Sequence, residues 1–292
     1  MATTPARQRL NDLLNKHELV IAPGVFDGIS AQLTKRTGHA AAYMTGAGVA
    51  ASGFGLPDIG LVTASEMAER ARVIVGTLGD IPLIADADTG YGAPMNVVRT
   101  VRAYDAAGVA AIQLEDQVFP KRCGHFDGKT VVPQAEMVAK IKAAVDARSD
   151  PDLLIVARTD AIATHGFQAA IERAGAYREA GADVGFVEAP QSLAEIADIP
   201  RLLPWPQLIN IVLGGRTPEL PNEKLRELGF AGVLYANVAL QSALRGMQAA
   251  LSVLRKDGRM GDASVLAVDF AERQRLVGKP EFDALERKYQ AD

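Results

Sequence analysis

Short apolar runs and longer amphipathic segments alternate along most of the chain. Eight runs rich in Val, Ile, Leu and Ala have the length and composition of buried strands. They are residues 20–25, 41–45, 82–86, 111–115, 154–158, 184–188, 208–212 and 232–236. Between most of them apolar residues recur with a period of about 3.6, which predicts helices. The clearest are residues 95–107, 135–147, 166–180 and 221–228.

Alternation of strands and helices predicts an α/β fold. Near-continuous apolar strands indicate a parallel sheet that helices cover. Eight such units in about 240 residues match a closed (β/α)8 barrel of the TIM type better than the alternative, an open doubly wound sheet. No linker or tandem repeat divides the chain, so we expect one barrel domain over residues 1–292. Residues from about 250 to 292 lack a strand pattern and predict a C-terminal extension of helices.

Composition and charge argue against several classes of protein. The chain has 31 basic and 35 acidic residues, a net charge of −4, and 48% apolar residues. Without a basic excess, a nucleic-acid partner is not expected. The longest uncharged stretch, residues 37–57, is interrupted by glycines and polar residues, so no membrane span or signal peptide is predicted. A single cysteine excludes an internal disulfide framework and favours the reducing cytoplasm.

Polar residues stand at the carboxyl ends of the predicted strands, where barrel enzymes carry their chemistry. Asp86 and Asp88 share one strand face, and Glu115 ends the next strand. Three converging carboxylates without zinc-type His or Cys pairs fit a hard cation, Mg²⁺, or Mn²⁺ as its substitute. The alternative is that they cap turns or pair with Arg158. The other polar residues at strand ends are Thr45, Asp116, Thr159, Asp160, Glu188, Asn210 and Asn237.

The segment from Lys121 to His125 carries the single thiol, Cys123. A thiol flanked by Lys, Arg and His has a lowered pKa and is suited to act as an acid, a base or a nucleophile. Gly124 and Gly128 would allow the segment to move over a pocket. The alternative is an inert cysteine in a basic loop.

Taken together, the motifs resemble the isocitrate lyase/phosphoenolpyruvate mutase superfamily over about residues 20–255. The motifs are Tyr43-Met-Thr-Gly46, Asp86-Ala-Asp88-Thr-Gly-Tyr-Gly92, Glu115-Asp-Gln117, Lys121-Arg-Cys-Gly-His125 and Ala157-Arg-Thr-Asp160. Within it the chain is most similar to the short lyases for methylisocitrate and 2,3-dimethylmalate and to the oxaloacetate hydrolase group. The carboxyphosphonoenolpyruvate phosphonomutase shares the cysteine loop. The resemblance implies a Mg²⁺-dependent barrel and a homotetramer, made of dimers whose subunits exchange a C-terminal helix.

The resemblance also implies a role for each matching residue. Asp86 and Asp88 would hold Mg²⁺, with Asp58 and Glu115 in its outer shell. Backbone N–H groups of Thr45, Gly46 and Ala47, where the family commonly has Ser-Gly-Gly, would bind the keto-acid carboxylate. Catalytic roles would fall to Cys123 as general acid, Tyr43, Arg158 and Glu115. The remaining substrate contacts would be Gly124, His125, Arg158, Glu188, Asn210 and Arg245.

These roles fit a retro-aldol cleavage of a 2-hydroxy di- or tricarboxylate to an α-keto acid such as pyruvate and a carboxylate. The base is a metal-bound water or a pocket carboxylate, and local positive charge from Lys121, Arg122, Lys129 and Arg158 would attract the anion. Tyr235-Ala-Asn237 departs from the Tyr-Pro of family lyases, which puts methylisocitrate specificity in doubt. The rivals are an oxaloacetate hydrolase or decarboxylase, a phosphonomutase and a non-catalytic barrel. Cys123 favours the lyase, because a C–P rearrangement has no need of a thiol acid.

Overall fold

The predicted barrel is confirmed, and its sheet closes on itself. The computed structural model describes residues 4–16, 18–122, 124 and 128–290. The parallel strands follow the chain order: β1 Val20–Val25, β2 Ala42–Met44, β3 Leu83–Asp86, β4 Ala111–Glu115, β5 Leu154–Thr159, β6 Val184–Val187, β7 Gln207–Asn210 and β8 Gly232–Tyr235. Pairing of β1 with β8, in which Val20 lies opposite Gly232, rules out the doubly wound alternative.

Helices surround the barrel and continue beyond its last strand. The helices that precede β8 are α1 Pro5–Asn15, α2 Gly28–Arg36, α3 Gly46–Val49, α4 Ala64–Leu78, α5 Pro94–Ala107, α6 Gln134–Ala147, α7 Ile162–His165, α8 Phe167–Glu179, α9 Leu193–Leu202 and α10 Asn222–Leu228. After β8 come α11 Val238–Asp257, α12 Phe270–Leu276 and α13 Lys279–Tyr289. A π-helical turn at Ala50–Phe54 follows α3, and a 3₁₀ turn at Gly261–Leu266 follows α11.

Most predicted bounds differ from the structure by one or two residues, and two of the differences have a clear local reason. The second strand ends at Met44 rather than at 45, because the Thr45 hydroxyl accepts a hydrogen bond from the Gly48 N–H and caps α3. The predicted helix over 166–180 begins at Phe167, because Gly166 has a φ of +85° and ends α7. Both differences place a polar or flexible residue at the mouth of the barrel.

Alternate strand residues fill the barrel interior. The apolar side chains that pack together there include Ala22, Tyr43, Ile84, Val156, Phe186, Leu208 and Leu234. Leu10 and Leu14 of α1 belong to the same cluster, so the N-terminal helix closes the amino end of the barrel. The interior is therefore packed at that end, and the carboxyl ends of the strands are left for polar side chains.

No helix in the described part of the chain is both long and apolar enough to cross a bilayer.

Candidate active site

The candidate site consists of the residues that continue the interior face of each strand past the apolar layer. Asp86 lies two residues after Ile84, Arg158 two after Val156, and Glu188 two after Phe186. Since strand side chains alternate between faces, these polar side chains point into the same space as the apolar layer below them. Asp86, Glu115, Arg158, Glu188 and Asn210 are all buried.

The Asp86 carboxylate is held by hydrogen bonds from α3, from the turn after β3 and from β4. Its Oδ2 accepts the N–H of Gly46 at 3.2 Å, and its Oδ1 accepts the N–H of Asp88 at 3.0 Å. The amide of Gln113 donates to Asp86 Oδ1 at 3.4 Å and accepts from the Tyr43 hydroxyl at 3.1 Å. Burial raises the pKa of Tyr43 well above its ordinary value, so this phenol is a hydrogen-bond donor at neutral pH.

Lys121 pairs with the carboxylates beside Asp86. Its Nζ lies 2.8 Å from Asp88 Oδ1 and also contacts Asp58. Burial raises the pKa of Asp88 to about 6, although the Lys121 ammonium lowers it, and the Asp86 and Asp58 carboxylates add to the increase. Lys121 thus places a positive charge between two carboxylates of different loops, Asp58 before α4 and Asp88 after β3.

Arg158 of β5 lies among three carboxylates, which stand at or just past the ends of β4, β5 and β6. Its Nε is 2.9 Å from Asp160 Oδ2 and 3.4 Å from Glu115 Oε2, and its Nη1 is 3.7 Å from Glu188 Oε2. The guanidinium also packs over the Phe186 ring, 5.2 Å from the centroid. Burial raises the pKa of Glu115 well above its ordinary value, against the effect of Arg158.

These side chains enclose a cavity of about 30 Å³, room for one or two water molecules. Its lining residues are Tyr43, Thr45, Ala47, Asp58, Asp86, Glu115, Lys121, Arg122, Gly124, Arg158, Glu188, Asn210, Ala236 and Asn237. Most of the site residues expected from the sequence are therefore brought together. Arg245 is not: it lies exposed on α11 and does not line the cavity.

Two of the three backbone N–H groups expected to bind the substrate carboxylate, those of Thr45 and Gly46, donate to other groups of the protein. The N–H of Thr45 donates to Val25 O at 3.1 Å, and the N–H of Gly46 donates to Asp86. Ala47 lines the cavity beside them. Cys123 and His125, expected as general acid and substrate contact, lie outside the described residues.

A divalent cation fits the donor set. This network contains six carboxylates, Asp58, Asp86, Asp88, Glu115, Asp160 and Glu188, and the three cations paired with them among the residues that the structure describes are Lys121, Lys129 and Arg158, so the carboxylates are in excess. Glu115 Oε1 is buried and accepts no hydrogen bond from the described residues. No three His, Cys, Asp or Glu side chains within those residues form a complete metal site. The set therefore fits Mg²⁺, which binds through one or two carboxylates and retains several waters.

Comparison with known proteins assigns the family. A family model described as phosphoenolpyruvate phosphomutase matches residues 10–255. The 2,3-dimethylmalate lyase of Eubacterium barkeri is 45% identical over 281 residues, which cover 96% of this chain and 97% of that protein. The chain belongs to the phosphoenolpyruvate mutase/isocitrate lyase superfamily.

Two solved members of the superfamily share the whole fold. An oxaloacetate acetylhydrolase in complex with the inhibitor 3,3-difluorooxalacetate superimposes with a TM-score of 0.93 at 36% identity, covering 97% of both chains. A phosphonopyruvate hydrolase in complex with oxalate and Mg²⁺ gives 0.87 at 30% identity, covering 99% of both. The resemblance stated from the motifs is confirmed, and so is the expected enzyme class, a carbon–carbon lyase of this superfamily.

Three polar residues of this superfamily member were not assigned a role from the sequence. Gln113 links Tyr43 to Asp86, and Asp160 holds Arg158. Asn237 lines the cavity. For Gln113 and Asp160 the usable signal was the two-residue spacing, since each occupies the same strand face as Glu115 or Arg158.

Proposed function

We propose that the protein is a divalent-metal-dependent lyase that cleaves a 2-hydroxy di- or tricarboxylate into an α-keto acid and a carboxylate. One observation carries this proposal: the carboxylates of Asp86 and Glu115 and the guanidinium of Arg158 line one cavity at the carboxyl end of the barrel, and Asp88 lies beside it with its N–H bonded to Asp86. Such a pair of opposite charges suits a substrate that binds a metal through oxygen and carries a second anionic group. The family's named lyases support it.

Mg²⁺ is the proposed cofactor, with Mn²⁺ as its substitute. Asp86 and Asp88 would hold the ion, and Asp58 and Glu115 would accept hydrogen bonds from its waters. When bound, the ion supplies Lewis-acid stabilisation to the 2-oxygen and carboxylate of the keto acid. The excess of buried carboxylates supports the assignment, and so does the Mg²⁺ in the phosphonopyruvate hydrolase complex.

In the proposed reaction a base takes the 2-hydroxyl proton, and the bond between C2 and C3 breaks. The electron pair of that bond passes to the departing fragment as an enolate, which Cys123 protonates, while C2 becomes the keto carbon. Arg158 binds the substrate carboxylate, and the Tyr43 phenol orients Gln113, whose amide donates to Asp86. The raised pKa of Glu115 makes this carboxyl a candidate for holding the transferred proton.

The far wall of the cavity favours a substrate with a polar end. The side-chain oxygens of Asn210 and Asn237 are buried and accept no hydrogen bond from the part of the chain that the structure describes. A hydroxyl group of the substrate, which donates a hydrogen bond, would fill this unmet acceptor capacity, whereas an alkyl group would leave it buried and unpaired. The cavity of about 30 Å³ is smaller than such a molecule, so binding requires a displacement of residues that line it.

The proposed assembly is a homotetramer made of dimers whose subunits exchange C-terminal helices. In each subunit residues 1–292 form one barrel domain, and residues from about 250 onward are its extension. Helix α11 has no buried residue, and Leu244 and Met247 are each 54% exposed. These two side chains line a groove of about 670 Å³ with Ile29 and Leu33 of α2. An exposed apolar groove of this volume supports contact with another subunit. We also propose a cytoplasmic location, which the single cysteine supports.

The test is direct assay of four substrates. Purified protein and Mg²⁺ are mixed separately with 2-methylisocitrate, 2,3-dimethylmalate, 2-methylmalate and oxaloacetate, and keto acid, acetate and oxalate are followed. We expect EDTA-sensitive pyruvate from one of the first three, and none from an Asp86→Asn variant. Oxalate and acetate from oxaloacetate would support the second candidate, a hydrolase, which the oxaloacetate acetylhydrolase fold favours. No reaction with any of the four would overturn the lyase and favour phosphonomutase chemistry.

A further inference from the structure

Lys129 contacts residues of the candidate site from within the protein and does not reach the cavity itself. Its side chain is almost fully buried, and its Nζ donates to Asp160 Oδ1 at 2.7 Å and to the carbonyl oxygen of Gly124. Lys129 is absent from the residues that line the cavity. An ammonium group in this place cannot touch a substrate bound beside Arg158, so its effect must pass through its two partners.

The first partner, Asp160, is shared between Lys129 and Arg158. Asp160 Oδ2 accepts from Arg158 Nε at 2.9 Å, and Oδ1 accepts from Arg158 Nη2 at 3.1 Å as well as from Lys129. The backbone N–H of Asp160 is in turn fixed by Asp116 Oδ1 at 2.9 Å. This carboxylate therefore sets the plane of the guanidinium, and one of its two oxygens also carries the Lys129 ammonium.

The second partner, Gly124, lies directly on Arg158. A β-carbon at Gly124 would stand 2.3 Å from Arg158 Nη2 and 2.6 Å from Glu188 Oε1. The Lys129 hydrogen bond to the Gly124 carbonyl holds this backbone against the guanidinium. Lys129 thus fixes both the carboxylate that orients Arg158 and the backbone that covers it.

The charge of this group decides what Arg158 is able to bind. Arg158 and Asp160 alone form a neutral pair, and a neutral pair attracts a carboxylate weakly. With Lys129 the group of three carries one net positive charge in a buried setting. This positive charge lies beside the carboxylates of Glu115 and Glu188, which make the electrostatic potential at Arg158 less favourable for an incoming anion.

We propose that Lys129 is a positioning residue that shares the Asp160 carboxylate, so that Arg158 keeps the charge and the orientation needed to bind an anionic substrate. This inference rests on the proposed function in one respect, that Arg158 receives the carboxylate of the substrate. The pKa of Asp160 agrees with it: burial opposes ionisation, but Arg158 and Lys129 outweigh burial and lower the pKa well below its ordinary value.

The chain offers a matched control at the other end of the barrel. Arg148 Nη1 also donates to one carboxylate, Asp183 Oδ2 at 2.7 Å, and to one backbone carbonyl, Leu153 O at 2.9 Å. Asp183 lies just before β6, so this pair is remote from the cavity. Arg148→Met removes the same kinds of contact and reports the cost of losing them for the fold alone.

The experiment measures oxalate binding by calorimetry in the presence of Mg²⁺, together with the melting temperature. Oxalate serves as the probe because it mimics a keto-acid carboxylate. We expect Lys129→Met and Lys129→Gln to weaken oxalate binding about tenfold or more, because both remove the buried charge. Lys129→Arg should stay within about threefold of the wild type. Arg148→Met should lower the melting temperature and leave oxalate affinity unchanged.

Each outcome bears on one of the two proposals. Wild-type oxalate affinity in folded Lys129→Met or Lys129→Gln protein would overturn the role of Lys129. If the neutral variants do not fold, folded Lys129→Arg protein that binds oxalate tenfold more weakly would overturn it as well, because the charge is kept. Absence of oxalate binding in the wild-type protein would instead contradict the proposed anion site, and the failure would belong to the proposed function.

Discussion

The carbonyl oxygen of Ala236 lies 1.8 Å from the position that a β-carbon on Gly24 would occupy. Gly24 is in β1, and Ala236 directly follows β8 and lines the cavity. The absence of a side chain at Gly24 therefore allows β1 to pair closely with β8 and allows Ala236 to take its place in the cavity wall. A clash with backbone is not relieved by a side-chain rotation, so the strands themselves would have to separate.

Gly24→Ala should accordingly destabilise the protein by about 3 kcal/mol or more. At this chain length that corresponds to a fall in melting temperature of roughly 6 °C or more, measured by calorimetry. Gly175→Ala in α8 is the control, because no atom lies within 4 Å of the new β-carbon. It should instead stabilise by about 0.5–1 kcal/mol, as alanine does in a helix. Equal melting temperatures for the two variants would contradict the close approach.

Gly124→Ala tests the second close contact, on Arg158 and Glu188. The new methyl group has to displace a guanidinium or a carboxylate that faces the cavity. We expect kcat/KM on the identified substrate to fall by about 100-fold, since a displacement of about 1 Å in a binding group is enough for such a loss. Gly76→Ala in α4, which has open space around it, should keep full activity. Unchanged kcat/KM in Gly124→Ala would show that this backbone does not touch Arg158 in solution.

Metal binding should stabilise the fold as well as support turnover. At Mg²⁺ concentrations about 100 times the dissociation constant, a ligand of the folded state adds about 2.7 kcal/mol, or roughly 5 °C in melting temperature. Asp86→Asn should abolish this increase, whereas Asp80→Asn, exposed in the turn before β3, should retain it. An Asp86→Asn protein that still gains 5 °C from Mg²⁺ would place the ion elsewhere.

The sequence predicted the barrel and most of the site because both follow from short-range periodicity. Short apolar runs located the strands, and the two-residue period of a strand places Asp86 on the same face as Ile84 and Arg158 on the same face as Val156. Contacts across the barrel follow no such rule. Lys129 and Asp160 are 31 residues apart, and the sequence offered Lys129 only as a nearby positive charge. Nothing local marks Gly24 as a close contact, since its neighbour Ala236 lies at the other end of the barrel sequence.

The N-terminal helix should make stability depend on pH. Arg7 of α1 lies 2.8 Å from Asp105 Oδ1 and 2.9 Å from Asp150 Oδ2. Burial raises the pKa of Asp105, but hydrogen bonds from Ser149 and Arg7 outweigh burial, and the pKa lies below its ordinary value. A carboxyl whose pKa is lower in the folded state stabilises the fold above its unfolded pKa of about 3.9. That stability is lost as the pH falls through the folded pKa.

We therefore expect the free energy of unfolding to fall more steeply between pH 5 and pH 3 in the wild type than in Asp105→Asn. A carboxyl group titrates over about one pH unit on either side of its pKa, which sets this range. Urea unfolding at each pH measures the difference. Asp12→Asn, an exposed change on the same helix, should follow the wild-type pH dependence. Parallel pH curves for wild type and Asp105→Asn would mean that Asp105 has the same pKa in the folded and unfolded chains. Arg7 would then hold the helix through packing and through its bonds to Asp150, Val109 O and Asp105 O.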